Sequence, residues 1–101
     1  METETTAIAE LNLLSINQIA YIIQKNWVDK KGRSNINYAA KPYVEAMATL
    51  ESITDKYFLD DGSDIVTRFL CNANSWRGEV AKAVKAELKA RLHKLNLDFL
   101  P

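Results

Sequence analysis

Apolar residues recur every three or four positions in four stretches of the chain, and polar punctuation separates them. That spacing is the helical period. Leu14-Ser15-Ile16-Asn17-Gln18 reads as a helix start, with Ser15 as cap, Gln18 completing a capping box and Leu14 and Ile19 placed for a hydrophobic staple. Ile16, Ile19, Ala20, Ile23 and Trp27 then line one face, which predicts a helix over about 15–28. Tyr43, Met47, Leu50, Ile53 and Tyr57 repeat the pattern, and Pro42 belongs in a first turn, so a second helix is expected over about 40–57. It runs into Asp60-Asp61-Gly62-Ser63, a turn cluster. Ser63 can cap a third helix over about 63–73, apolar on Ile65, Val66, Phe69, Leu70 and Ala73 and therefore central. Asn72 to Ser75 interrupts it. The fourth helix, about 75–95, carries Trp76, Val80, Val84, Leu88, Leu92 and Leu95 on one face and Lys82, Lys85, Lys89 and His93 on the other.

The expected fold is all-α, a four-helix domain over 1–101. Residues 7–14 stay open between an extra helical turn and an extended arm, and the tail 97–101 either packs back or frays. Only three glycines and two prolines punctuate 101 residues, which agrees with long elements. With 48% apolar and 26% charged residues the composition is that of a globular domain rather than a disordered chain. No run of about 18 apolar residues is present, so no membrane span or membrane partner is expected. Cys71 is the only cysteine and no basic, apolar leader opens the chain, which points to a reducing cytoplasm.

Residues for chemistry are sparse. One His and one Cys cannot furnish a zinc site, and no cofactor is expected. Setting Gly62 on the EF-hand glycine places Leu59 and Arg68 where oxygen ligands are needed, so Asp60 to Asp64 reads as a capped turn. Cys71 and His93 fall on different faces and do not suggest a dyad. Gly32, Gly62 and Gly78 are isolated and form no phosphate loop. The expectation is a protein that is not an enzyme.

Charge is segregated although the total is zero. Residues 25–41 are net +4 and 76–101 net +3, against −4 for 42–75 and −3 for the first 24 residues. If the basic 25–41 loop (Lys30, Lys31, Arg33) and the lysine face of the last helix (Lys82, Lys85, Lys89) lie on one side, the protein has a basic face suited to nucleic acid. Trp27, Tyr38 and Tyr43 flank that loop and could stack bases or belong to the core. Helices three and four superficially suggest helix-turn-helix, but Arg68 and Gly78 fall where a small residue and an apolar anchor are needed. Asn74-Ser75-Trp76-Arg77-Gly78-Glu79 puts a Trp, an Arg and a helix-interior Gly in one turn. Trp76 and Arg77 there read either as a corner locking two helices, with Arg77 partly buried on an acidic partner, or as a binding hot spot. Glu87 and Arg91 form an i, i+4 pair at the edge of the apolar face.

Tyr38-Ala39-Ala40-Lys41-Pro42-Tyr43-Val44-Glu45-Ala46-Met47, followed by Ile65-Val66 and Asn74 to Glu79, resembles a type of small helical protein encoded by phages and prophages. The resemblance covers residues 37–92 and brings no activity with it. It implies a protein that binds and inhibits or modulates a host enzyme or defence complex. The leading expectation is thus a protein-binding module whose contacts include Trp76, Arg77, Trp27, Lys30, Lys31, Arg33, Lys82, Lys85 and Lys89. A host protein or complex is the expected partner, with a second copy of the chain also kept as a candidate. The alternative is a small nucleic-acid-associated protein.

Overall fold

The computed structural model describes the backbone of residues 10–98 and the side chains of 10–96. What was expected of residues 7–9 and of the tail beyond 98 lies outside these limits. The protein is mainly helical. After a 3-10 turn at Leu11–Leu13 come α1 (Ile16–Asn26), α2 (Lys41–Met47), a hairpin of β1 (Lys56–Tyr57) and β2 (Asp60–Asp61), α3 (Gly62–Cys71) and α4 (Glu79–Asp98).

The start of α1 is as its sequence predicts. The Gln18 amide donates to Ser15 Oγ at 3.4 Å, and the Ser15 amide donates to Gln18 Oε1 at 2.9 Å. Each bond satisfies a donor that the helix start would otherwise leave open. Ile16, Ile19, Ala20 and Ile23 are buried and join Val44, Met47, Leu50, Val66, Phe69, Val84 and Leu88 in one core.

The second helix is much shorter than 40–57. It begins with Pro42 in its first turn but stops at Met47. The following side chains offer the backbone better local partners. Thr49 Oγ1 donates to the Ala46 carbonyl at 2.8 Å, and the Asp55 carboxylate accepts from the amides of Glu51 and Ser52 at 3.0 and 2.9 Å. Ser52 Oγ accepts from the Thr54 amide at 3.1 Å. Such bonds compete with helix continuation, and β-branched Thr49, Ile53 and Thr54 weaken it further. Leu50 is buried all the same, and Ile53 and Tyr57 pack on the core edge from turn and strand. The fold is therefore not purely all-α: Lys56 pairs with Asp61 and Tyr57 with Asp60 in an antiparallel ladder.

Gly62 closes the hairpin onto α3. Its amide donates to the Asp55 carbonyl at 2.7 Å. A Cβ there would sit 2.8 Å from the carbonyl oxygens of both Asp55 and Ile53. The N-cap residue is Asp61, whose side chain makes no capping bond, and not Ser63.

The last helix starts at Glu79 rather than 75. Trp76 precedes it, and Gly78, with φ +114°, is the residue that turns the chain into it and not a helix-interior glycine. Residues 72–78 also exceed the three- or four-residue turn of a helix-turn-helix. Near the other end of α4, Arg91 clamps the N-terminal turn. Its Nη2 donates to the carbonyls of Leu11 and Leu14 at 2.8 and 2.7 Å, while Nε donates to Glu87 Oε2 at 2.8 Å.

Candidate interaction surfaces

The structure has two unlike ends, one built where the connection before α4 meets the first turns of that helix and the other at the tip of the hairpin. The basic end is built on a tryptophan pair. Trp27 at the end of α1 stacks on Trp76, centroids 5.7 Å apart and planes 13° from parallel. Trp76 Nε1 donates to Asn26 Oδ1 at 3.0 Å, and Phe69 meets the Trp76 ring edge-on at 6.3 Å. Trp27 and Trp76 are only 3% and 2% exposed. They are core residues, and an expectation that they present a contact surface has to be corrected: burying the two indoles against each other is what fixes the corner.

Arg77 is not the partly buried residue that a helical Trp76–Arg77 turn would make it. With Gly78 swinging the chain outward, Arg77 is exposed and makes no ion pair among the described residues. It lines a shallow cleft of about 510 Å³ with Trp76, Ala81, Lys82 and Lys85, and Glu79 is the one acidic residue there. Lys85 Nζ donates to the Trp76 carbonyl at 2.6 Å and lies 6.0 Å from the Trp76 ring centroid. Its pKa is lowered, first by burial and then by the like charges of Lys89 and Arg77. Lys82 and Lys89 are exposed.

The stack also brings the basic loop to this end, because the chain leaves Trp27 directly into residues 28–34. The loop is a tight turn knit by Asp29, whose Oδ1 accepts from the amides of Lys31 and Arg33 at 2.8 and 3.0 Å. Asp29 Oδ2 accepts from Arg33 Nε at 3.2 Å, and Gly32 supplies a φ of +81°. The Asp29 pKa is lowered, chiefly by the Arg33 amide; burial opposes this as the next largest effect, and the Lys31 amide and Arg33 side chain add to the lowering. Lys30 and Lys31 project into solvent. Tyr38 is exposed and Tyr43 half-buried, so of the three aromatics around the loop Tyr38 alone offers a free ring.

The other end was not anticipated. The two residues that turn the hairpin are Phe58 and Leu59, 83% and 94% exposed. Phe58 has φ +56°, a left-handed conformation that favours Gly, Asn or Asp and is an outlier for a bulky residue. Its ring meets Tyr57 edge-on at 4.7 Å. Asp60 and Asp61 follow the tip, and Asp64 lies in the first turn of α3. A signal was present in the sequence: Tyr57-Phe58-Leu59 is a run of three large apolar residues, and no helix with one buried face can bury them all.

Other groups stay apart. Cys71 and His93 are both exposed. Among the described residues no three His, Cys, Asp or Glu side chains are grouped to hold a metal, and no helix is long and apolar enough to cross a membrane. No family model, curated protein or solved structure matches the chain.

Proposed function

We propose that the chain is a non-enzymatic protein-binding module that acts by occupying a partner's surface. The observation that carries this reading is the Phe58–Leu59 tip. Two large apolar side chains at the end of a hairpin stay almost wholly exposed, and the edge contact of Phe58 with Tyr57 buries little of either. One of them holds a backbone conformation that costs about 1–2 kcal/mol. Strain kept at an exposed apolar point is the mark of a site that is used. The resemblance to small phage proteins supports a host enzyme or defence complex as the partner, met in the host cytoplasm, with the tip as the occluding element.

The test is retention of a partner on immobilised wild type and on a Phe58→Ser/Leu59→Ser variant whose fold is checked by circular dichroism. A partner held by wild type and lost by the variant supports the reading. An identical retained set from both overturns it.

A second reading has its own support. The tryptophan stack joins the residue before the 28–34 loop to the residue before Arg77, so both basic segments start from one corner. A nucleic-acid-associated protein would use that corner, and its binding would weaken steeply with salt. Lys82→Glu, Lys85→Glu and Lys89→Glu together should then abolish binding to labelled single- and double-stranded oligonucleotides. Unchanged binding would exclude these lysines.

A further inference from the structure

The tip and the cleft are complementary to each other. The tip is apolar at its summit and acidic behind it, at Asp60, Asp61 and Asp64. The cleft is walled by Arg77, Lys82 and Lys85, whose aliphatic stems offer apolar surface above the buried Trp76 and Ala81 and whose charged heads make it basic. The cleft is shallow and open, so the two tip side chains would lie against it rather than fill an enclosed pocket.

The two surfaces cannot meet within one molecule. Asp61 and Ser63 lie beside Leu95, near the far end of α4, whereas the cleft opens on the first turns of that helix. Glu79 and Leu95 are separated by about 24 Å of helix at about 1.5 Å per residue. We propose that the Phe58–Leu59 tip of one copy seats in the Trp76–Arg77–Lys82–Lys85 cleft of a second copy. This rests on the reading of the tip as a binding element and names its partner.

Charge decides the orientation. Arg77 and Lys82 make no ion pair among the described residues, and Asp60 makes none either, so all three are available across the contact. Asp61 carries only an exposed pair with Lys56 at 3.6 Å. Incoming carboxylates also relieve the mutual repulsion of Arg77, Lys85 and Lys89. Tip against tip or cleft against cleft would set like charges face to face, which disfavours both. The contact therefore joins unlike surfaces. Two antiparallel copies satisfy both ends at once in a closed pair, and copies in tandem extend as a chain.

The experiment is sedimentation velocity on the full chain from micromolar to near-millimolar concentration, at low and high salt. Wild type is expected to self-associate, and less so as salt screens the contact. Two charge-reversed variants carry the assignment: Asp60→Lys/Asp61→Lys at the tip and Arg77→Glu/Lys82→Glu at the cleft. All four positions are exposed, and thermal melts confirm the folds. Each variant alone should associate at least about tenfold more weakly than wild type, because like charges then face each other. An equimolar mixture should recover association, since each tip again matches the other's cleft. A wild type monomeric at every concentration overturns the proposal, as does association that both reversals leave unchanged or that mixing fails to restore. Partner retention that still depends on Phe58 and Leu59 in a strictly monomeric protein would overturn self-association while leaving the binding-module reading standing.

Discussion

Replacing Arg91 with Met tests whether the N-terminal turn is held by one guanidinium. Met keeps an apolar stem against α4 and removes every donor. Wild-type Arg91 gives two bonds to backbone carbonyls of Leu11 and Leu14 and one to Glu87, all between 2.7 and 2.8 Å. Hydrogen bonds involving a charged group contribute about 1.5–3 kcal/mol each. Both side chains of the ion pair are only 19% exposed, so solvent screens it less than a surface pair. The freed carbonyls regain water once the turn lifts, which favours the low end of that range, or about 3 kcal/mol for the two. For a domain of this size that corresponds to a fall in Tm of about 12–24 °C. Urea unfolding and calorimetry give the loss directly. Hydrogen exchange locates it, because the Leu14 amide, bonded to the Leu11 carbonyl, should lose protection before α1 does. A loss under about 0.5 kcal/mol would place the contact among ordinary exposed ion pairs and refute the clamp.

Four further outcomes follow from the geometry. Gly62→Ala should cost about 1–3 kcal/mol in denaturant unfolding, because its Cβ meets two carbonyl oxygens at 2.8 Å that belong to backbone and cannot simply swing away. A double-mutant cycle on Trp27→Leu and Trp76→Leu should return a coupling of about 0.5–1.5 kcal/mol, whereas additive losses would mean that the stack contributes nothing beyond burial. Phe58→Asn should leave stability unchanged or raise it by up to about 1 kcal/mol, measured by thermal melt, since Asn tolerates the left-handed backbone; a clear loss would show that Phe58 serves the fold. Asp29 has a lowered folded-state pKa, so its contribution is present above the ordinary carboxylate range and is lost as pH falls through the lowered value. Amide NMR shifts of Lys31 and Arg33 should follow that titration, and shifts centred at an ordinary carboxylate pKa would refute the turn's bonding.

The helical class, the start of α1 and most of the core were legible because they depend on local spacing. Ser15 and Gln18 signal their cap within four residues, and Ile16, Ile19 and Ile23 repeat within one helix. The second helix was misread because Leu50, Ile53 and Tyr57 keep a three-to-four spacing although they belong to turns and a strand. Periodicity records which residues face inward, not the backbone that brings them there. The competing information lay in Thr49, Ser52, Thr54 and Asp55, whose side chains bond to nearby backbone. Trp76 and Arg77 were read as one helical turn because nothing local reveals that Gly78 adopts a positive φ. The exposed tip was hidden by the same overlong helix. The Trp27–Trp76 stack and the Arg91 clamp join positions far apart in the chain, and no local pattern encodes such pairs.

The clamp also bears on how the protein is made. Leu11 and Arg91 are 80 residues apart in the chain. At about 5–20 residues per second, the ribosome adds Arg91 some 4–16 s after Leu11. Throughout that interval the Leu11–Leu14 turn lacks the guanidinium that holds it, and α1 lacks both Trp76 and the α4 face it packs against. The emerging chain can set α1 against α2 early, but the rest of the apolar face of α1 waits for α4, so the core is completed late.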